Sequence, residues 1–586
     1  MRKPILCLLA LVLLFVLAAC AAPEPTKPPA APKATDAPKP TVAAPAPTTA
    51  PPADAPKRGG KITMAIWQSP TTLNPLLGSQ DVMNEVLIHV LDGMLRQLPD
   101  GSFAPNLAKE VPTVQNGGVS ADGKTITYNF KPGVLWSDGT PFTCDDFKFT
   151  WQARMTPGVG IISTTGYTEV ETVECPNPTT AVVKYKNFYP AYLNLFDRIL
   201  PKSAGDPKDM KNWAYNRKPI GTGPFKVQEW IADDHITLVR NENYREKDKP
   251  YLDQIVVRIV PNVDVGLQLI ASGEVDMLWS IPIDNTPQMD KMPSVKYSSP
   301  PRDGGERIFF NMAENKDPAD PTKPHMILGD VKVRQALALA VNKQRIIDQL
   351  LYGKVAPLPG ELNNGYYNCT DIKQYPYDIA QAKKLLDEAG WVPGADGTRV
   401  SKGAKFAPDG TRLRLKYSTT SGDKLREDTQ TLVMQDFKAV GVEAYIENAP
   451  SSVVIGTWEA NSPRRHGNFD LIQYSTNVSP SDEPIGGLTN SFATASRPSE
   501  QNKGGQNVSR FSDPKVDALL KQAQSEPDQA KRKTIYCQIG QIVNDAYPAI
   551  YLYQAGRAYA YRDRLQGWIA NGNNRMGWNA QDWWLK

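Results

Sequence analysis

The chain has 586 residues, of which 41% are hydrophobic and 22% charged, a composition close to that of an average globular protein. This length exceeds what one hydrophobic core normally holds, so two or more lobes are expected. The net charge is only +4, or +2 without Arg2 and Lys3, and this balance argues against a nucleic-acid partner, which usually requires a strongly basic face.

The first twenty residues have the layout of a bacterial export signal. Arg2 and Lys3 precede an apolar run over 5–17 that is too short to span a membrane comfortably. The ending Leu-Ala-Ala-Cys resembles a lipobox, which implies a signal peptide over 1–19, cleavage before Cys20 and acylation of that cysteine. The alternatives are an uncleaved anchor and an ordinary signal peptide.

Residues 20–56 are predicted to be a disordered tether. Pro, Ala, Thr and Lys dominate the segment, and it lacks the apolar periodicity needed to offset its conformational entropy. Proline-rich chain is extended at about 3.1 Å per residue, so the segment would reach on the order of 110 Å. We expect it to lift a folded domain away from a lipid on Cys20.

The folded part begins near Gly59 and mixes strands with short helices. Period-two alternation and β-rich composition predict strands over 61–67, 125–130, 236–240 and 255–260. Apolar spacing at helical intervals predicts helices over 81–95 and 265–272. Asp264 is the predicted N-cap of the second helix, and Gly273 is its stop.

The second half is richer in predicted helices. They cover 331–351, capped by Asp330, then 378–389 and 425–440, and a fourth begins at Asp513-Pro514. A strand is predicted over 442–446. Because strands and helices alternate throughout and no repeat is visible, the predicted class is α/β.

Several sequence blocks, in their order along the chain, resemble family 5 of the bacterial extracellular solute-binding proteins. These are the peptide-, dipeptide- and nickel-chelate-binding components of ABC importers. The block KPGVLWSDGTPFT at 131–143, extended by Asp-Asp-Phe at 145–147, resembles the family signature. The other blocks are GTGPFK at 221–226, RNENY at 240–244, GEVD at 273–276, DVKVRQAL at 330–337 and Asn342-Lys343. We expect these blocks to serve folding more than ligand contact.

The resemblance implies an α/β, two-lobed periplasmic-binding-protein-like fold of type II, similar to cluster C, with an extra inserted subdomain. The implied parts are lobe I (57–97, 220–299 and 556–586), domain II (98–219) and lobe III (300–555). The chain would cross between lobes near 301–305 and 553–556, where glycines ease the rotation that a hinge needs. Ordinary surface loops are the alternative at both crossings.

The resemblance also implies a function. A peptide or peptide-like solute would bind in the cleft between lobes I and III, and lobe closure would bury it. The chain, as a monomer tethered to the cell membrane through Cys20, would then deliver the solute to the permease subunits of an ABC importer.

Ligand contacts are implied in two places. The first follows the first strand, at Trp67, Gln68 and Ser69. The second is a loop after the Asp-Leu strand that begins at residue 470, where Tyr474 takes the position of an aromatic residue common in peptide binders. Each aromatic residue has a role in the core or at the rim as its alternative.

The second loop departs from the family pattern at the position that binds the ligand's amine. Asn477 stands where peptide binders commonly carry an aspartate, and an amide supplies no full charge. Asp482 is the candidate replacement, with a turn cap as its alternative. If neither residue binds an amine, a neutral sugar or oligosaccharide becomes the alternative solute.

Four cysteines follow Cys20. Cys144 and Cys175 fall in one implied domain, and Cys369 and Cys537 fall in another. Two disulfides with these pairings are the hypothesis, although four cysteines allow three connectivities.

Sequence motifs argue against an enzyme. Residues 118–125 have the spacing of a phosphate-binding loop, but a strand pattern follows where a helix is required. Residues 221–223 lack the third glycine of a dinucleotide loop, and the four histidines share no metal-ligand spacing. We therefore expect no cofactor, metal site or catalytic residues. A nickel chelate is an alternative solute, because a chelator could supply most of the metal's ligands. A secreted hydrolase and a ligand sensor are the alternatives from other classes.

Overall fold

The structure is a computed structural model that describes residues 55–301, 304–363, 365–476, 483–554 and 556–586. The predicted signal peptide, residues 20–54 of the predicted tether, and the candidate residues Cys20, Asn477 and Asp482 lie outside these ranges. Within them, no helix is both long enough and apolar enough to cross a membrane.

A seven-stranded sheet in the described part of the chain draws its strands from three distant segments. At its centre Lys61–Ile66 pairs in parallel with Gln254–Ile259 on one side and with Met277–Pro282 on the other. Parallel strands covered on both faces are typically apolar throughout, and the end of the first strand is buried on both faces. In sheet order the strands are Val295–Ser298, Arg557–Arg562, Met277–Pro282, Lys61–Ile66, Gln254–Ile259, His235–Arg240 and Phe225–Ile231.

A second sheet has five strands among the described residues. Its fourth strand, Gly305–Phe310, is buried along its whole length and runs antiparallel to both of its neighbours. The chain leaves the seven-stranded sheet after Ser298 and returns to it at Arg557. In sheet order the strands are Glu443–Ile446, Arg414–Thr419, Leu471–Thr476, Gly305–Phe310 and Ala549–Gln554.

A third sheet, of three strands, lies in the sequence between the first strand of the seven-stranded sheet and the later ones. Its order is Thr125–Asn129, Thr180–Tyr185 and Val170–Asn177. The helix Cys144–Arg154 packs on it, and Phe147 of that helix stacks on Phe196 with ring centroids 3.9 Å apart. This separate aromatic core makes the segment an insertion between strands of the larger sheet.

The remaining elements surround the three sheets. The α-helices are Asp81–Leu87, Cys144–Arg154, Val263–Ser272, Thr286–Met289, Val331–Ala340, Lys343–Leu350, Ile379–Glu388, Lys424–Ala439, Ser451–Val454, Pro463–His466, Ile485–Phe492, Pro514–Ser525 and Gln529–Ala546. The 3₁₀ turns are Tyr167–Glu169, Tyr192–Asn194, Lys202–Ala204, Pro207–Asn212, Ala214–Asn216, Ile283–Asn285, Thr494–Ser496 and Ala580–Asp582. Paired short strands are Leu95–Gln97 with Phe103–Pro105, Trp391–Pro393 with Arg399–Ser401, and Leu565–Gln566 with Trp584–Leu585.

The predicted helix over 81–95 is wrong in its length, because the observed helix ends at Leu87. The carbonyl groups of His89 and Val90 accept hydrogen bonds from the backbone of Phe225 and Gly223 instead of continuing the helix. A Cβ on Gly223 would lie 2.7 Å from the Val90 carbonyl, so this close approach requires glycine. The GTGPFK block therefore serves folding.

The predicted helix over 331–351 is two helices, Val331–Ala340 and Lys343–Leu350. Val341 is extended, and the Asn342 side chain caps the second helix by accepting a hydrogen bond from the Arg345 amide. The Asn342 amide in turn donates to Asp436. The Asn-Lys block therefore marks the start of the second helix. Apolar spacing alone did not distinguish this helix from the one before it.

The cap predicted at Asp264 is also wrong by two residues. The helix begins at Val263, and the Asn262 side chain accepts hydrogen bonds from the Asp264 and Val265 amides. Gly273 ends the helix in the left-handed conformation, as expected from the sequence.

Two of the family blocks supply buried polar contacts. Trp136 donates from Nε1 to Asp146, which also completes a capping box with Thr143. Arg334 is buried and donates to the carbonyls of Ala546 and Tyr547, at the end of the long helix Gln529–Ala546. Such contacts satisfy helix-end carbonyls that would otherwise lack partners.

Disulfides join Cys144 to Cys175 and Cys369 to Cys537. The first ties the helix Cys144–Arg154 to the three-stranded sheet, and the second ties residue 369 to the helix Gln529–Ala546. These are the two pairings named as hypotheses above, and non-reducing peptide mapping would test them.

Candidate functional site

A cavity of about 1720 Å³ lies where the central parallel strands of the seven-stranded sheet end. Trp67 directly follows the first of these strands, residues 260–263 directly follow one of its neighbours, and residues 278–282 belong to the other. Ligands of open α/β sheets bind outside the carboxyl ends of the strands, because the loops there converge. The position of the cavity therefore makes it the candidate binding site.

The other walls of the cavity come from distant parts of the chain. The three-stranded insertion contributes Arg154 and Tyr167, and the segment near the C-terminus contributes Arg575 and Trp578. Ser475, at the end of a strand of the five-stranded sheet, and residues 483–490 form the opposite side. The cavity is thus enclosed by residues of all three sheet regions.

Trp67 lines this cavity and is 46% exposed, a large exposure for a tryptophan at the end of a buried strand. Gln68 and Ser69 follow it but are not part of the cavity wall. The Ser69 hydroxyl instead accepts a hydrogen bond from the Asp233 amide at 3.3 Å. Of these three candidates, the structure therefore places only Trp67 in the site.

Tyr474 lies elsewhere. It is 5% exposed, and its ring stacks on Phe309 of the neighbouring strand with centroids 4.7 Å apart. Successive side chains of a strand point to opposite faces, so Ser475 lines the cavity while Tyr474 packs into the core on the other face. The structure thus places Tyr474 in the core role that was its alternative.

A charged network that sequence reasoning missed lines one wall. Asp92 is buried and accepts hydrogen bonds from Arg245 at 2.5 Å and from Asn106 at 2.9 Å, with Arg96 3.8 Å away. Burial acts to raise the pKa of Asp92, but the two guanidinium groups outweigh it and hold the pKa below its usual range. Asp92 is therefore fully paired and ionised.

A second charged network that sequence reasoning missed surrounds Glu483, on the opposite wall of the cavity. The buried Glu483 carboxylate accepts hydrogen bonds from Arg532 at 2.8 and 3.2 Å and from the Tyr536 hydroxyl at 2.7 Å. The Tyr367 hydroxyl donates to the same carboxylate. Arg532 also donates to the Pro190 carbonyl of the insertion at 3.3 Å, so the network connects two walls of the cavity.

No cluster of three or more His, Cys, Asp or Glu side chains placed for a metal ion occurs among the described residues. His325, the best-paired histidine, contacts Asp470 at 2.9 Å and accepts hydrogen bonds from the Ile327 and Leu328 amides. Its contacts are all within the core, where it fixes local structure.

Comparison with known sequences decides the family. The sequence model described as "Bacterial extracellular solute-binding proteins, family 5 Middle" matches residues 102–497. The chain belongs to this family. As a family 5 protein it has the expected α/β fold, since its structural neighbours are two-lobed binding proteins of the same type.

The alignments with two named relatives cover nearly the whole of this chain. The oligopeptide-binding protein AppA of Bacillus subtilis is 26% identical over 545 residues, which are 91% of this chain and 93% of AppA. The oligopeptide-binding protein OppA of the same organism is 24% identical, over 88% of this chain and 92% of OppA.

Two solved structures are similar to this chain over most of its length. The structure of AppA in complex with a nonapeptide has a TM-score of 0.59 at 25% identity and covers 91% of this chain and all of AppA. The structure of NikZ from Campylobacter jejuni in complex with Ni(L-His) has a TM-score of 0.64 at 23% identity and covers 90% of this chain and 99% of NikZ. The second likeness concerns the fold alone.

Proposed function

We propose that this chain is the extracytoplasmic receptor of an ABC importer and that it captures a peptide or peptide-like solute in the cavity without altering it chemically. The cavity is the observation that carries the proposal. Its volume of about 1720 Å³ exceeds the roughly 300–1,000 Å³ of pockets for drug-sized ligands, and it therefore suits an extended oligomer. The complex of AppA with a nonapeptide supports a peptide.

The mechanism that we propose is closure of two lobes around the solute. Lobe I would be 57–97, 220–299 and 556–586, lobe III would be 300–555, and 98–219 would be domain II. The described strands change from one large sheet to the other between Ser298 and Gly305 and between Gln554 and Arg557. The proposed hinge is therefore at the predicted crossings 301–305 and 553–556, of which residues 302, 303 and 555 lie outside the described ranges. Contacts of the solute with both walls would shift the population toward the closed form, which the permease recognises.

Attachment to the membrane is part of the same proposal. A lipid on Cys20, followed by the tether over 20–56, would hold a monomeric receptor beside its permease subunits. Metabolic labelling with a fatty acid should label the natural chain and leave a Cys20→Ala variant unlabelled.

An oligosaccharide is a second candidate solute. Trp67, Trp279 and Trp578 all line the cavity, and the apolar faces of sugar rings pack well on indole rings. Mass spectrometry of the material released from the purified protein distinguishes the two: peptide fragments favour the first candidate and hexose or pentose masses favour the second. Release of cleaved products from an added intact solute would instead favour a hydrolase.

Replacing Trp67 by alanine is expected to weaken solute binding about 10- to 100-fold. A solute packed on this half-exposed indole buries apolar surface worth roughly 1.5–3 kcal/mol, and each 1.4 kcal/mol changes affinity tenfold. Calorimetric titration with the released solute measures the change.

The matched control is Tyr377→Ala, which removes an aromatic side chain of similar exposure, 49%, that does not line the cavity. Equal affinities of the two variants would show that the solute does not contact Trp67.

A further inference from the structure

The three-stranded insertion is fixed to the seven-stranded sheet by polar contacts. The Ser137 amide donates to the Gly221 carbonyl at 2.9 Å, where the chain leaves the insertion. The buried Asn106 side chain of the insertion donates to Asp92 at 2.9 Å, and Arg245 donates to both of these side chains. We therefore expect the insertion and the seven-stranded sheet to move as one body.

The insertion also contacts the region of the five-stranded sheet, at the start of the last α-helix of the described chain. The Gln115 side-chain amide of the insertion donates to the carboxylate of Asp528, the residue that caps this helix. One turn later, Arg532 donates to the Pro190 carbonyl at 3.3 Å, and its guanidinium lies 5.3 Å from the centre of the Phe188 ring. Both contacts join parts of the chain more than 300 residues apart.

A second contact of the insertion leads to the same helix. The turn of the hairpin at 95–105 meets the backbone of residues 365 and 366, because a Cβ on Gly101 would lie 2.3 Å from the Gly365 Cα and 2.4 Å from the Tyr366 nitrogen. Three residues later, the disulfide between Cys369 and Cys537 ties this segment to the last α-helix. Both contacts of the insertion are thus anchored on one element.

These contacts lie beside the cavity without belonging to the surface that a solute would touch. Gln115, Phe188 and Asp528 are outside the cavity wall, whereas Tyr189 and Glu483, which neighbour this contact region, are part of it. If the two lobes separate, the insertion moves away from the last α-helix and the contacts break. They therefore stabilise the closed form, and they do so with or without a solute.

We propose that the contacts between the insertion and the last α-helix form a latch, which keeps a large fraction of the protein closed in the absence of solute. This proposal rests on the lobe closure of the proposed function and adds that the closed form exists before the solute binds. The apparent affinity of a receptor is scaled by the fraction in its binding-competent form. Since no solute touches the latch, it changes the affinity for every solute by one common factor.

Small-angle X-ray scattering of the unliganded protein tests the latch without a ligand. The reference is the mature chain with Cys20→Ala, stripped of any solute that co-purifies, and every variant carries the same tether. Gln115→Ala should lower the ratio of closed to open protein about 3- to 10-fold, since it removes a hydrogen bond to a charged group. Phe188→Ala should act in the same direction. The double variant should therefore have a larger radius of gyration than the reference, and equal radii would overturn the latch.

The matched control is Gln344→Ala. Gln344 is also exposed and donates to an aspartate, Asp348, at 2.8 Å, but both residues belong to one helix of one lobe. The radius of gyration should stay at the reference value in this variant. Gln115 is itself exposed, so its replacement protects the test against a folding defect in Phe188→Ala. An equal expansion of Gln344→Ala and Gln115→Ala would contradict the proposal.

Calorimetric titration with three nonapeptides of unrelated sequence tests the common factor. The double variant should bind each of them at least threefold more weakly than the reference does, and by the same factor for all three. Trp67→Ala, which changes the cavity wall, should weaken them by unequal factors. Unequal losses in the double variant would show that the latch residues act through contact with the solute, which would contradict the proposal.

The two measurements separate the latch from the peptide function. If no nonapeptide binds while the double variant is more expanded than the reference, the latch stands and the peptide function fails. If nonapeptides bind while the double variant keeps the radius and the affinities of the reference, the latch fails and the peptide function stands.

Discussion

Replacing Arg532 by methionine is expected to lower the free energy of unfolding by about 3–5 kcal/mol, because it leaves the buried Glu483 carboxylate without its counter-charge. Arg532 is fully buried and has its guanidinium on both carboxylate oxygens of Glu483. Tyr367 and Tyr536 supply hydrogen bonds to the carboxylate but no charge. Urea-induced unfolding of the natural and variant chains at neutral pH measures the difference.

The matched control is Lys531→Met, one residue earlier on the same helix but exposed, which should change stability by less than about 0.5 kcal/mol. Removing both charges, with Glu483→Gln and Arg532→Met together, should cost less than the sum of the two single changes, because no unpaired charge then remains. A cost below about 1 kcal/mol for Arg532→Met alone would show that the buried pair is absent in solution.

The second large effect concerns His89 in acid. His89 is fully buried between Phe225 and Trp583, neither ring nitrogen has a hydrogen-bond partner, and burial lowers its pKa to about 3. Between about pH 3 and pH 6.5 the unfolded chain therefore binds a proton that the folded chain excludes. The contribution of His89 to stability is complete above pH 6.5 and is lost at about 1.4 kcal/mol per pH unit as the pH falls.

Unfolding measured at pH 6 and pH 4 should thus show a stability loss that is smaller by about 2.5 kcal/mol in a His89→Met variant than in the natural chain. Other groups titrate in both chains, so only the difference between them reports on His89. His235→Asn is the control, since the hydrogen bond that His235 donates to the Asp234 carboxylate raises the pKa of that histidine and gives it the opposite pH dependence. An unchanged loss in His89→Met would mean that His89 is hydrated in the folded protein.

Local sequence signals predicted elements well wherever one periodicity and one cap dominate. The strand Thr125–Asn129 alternates strictly, and the helix Pro514–Ser525 begins at its expected Asp513 cap. The predictions failed where backbone amides from distant parts of the sequence bind carbonyl groups that a longer helix would have used. Helix Asp81–Leu87 ends early because the backbone amides of Gly223 and Phe225, more than 130 residues away, donate to the carbonyls of Val90 and His89. No local pattern contains that information.

The candidate site was harder to predict than the fold. Trp67 follows a recognisable strand, so its place on the cavity could be inferred from topology. Which of Tyr474 and Ser475 lines the cavity depends on which face of their strand packs against the core. A shift of the strand register by one residue would exchange the two side chains. Arg154 of the insertion and Arg575 near the C-terminus line the same cavity, and each resembles an ordinary surface charge in the sequence. Their convergence exists only in the folded structure.

The account depends on a solute that is held intact between the walls of one cavity. A crystal structure of the processed protein with its tightest-binding peptide tests this most directly. We predict an uncleaved peptide beside Trp67, with residues 483–490 covering its other side. A peptide bound on another surface, or its hydrolysis products in the cavity, would contradict the account.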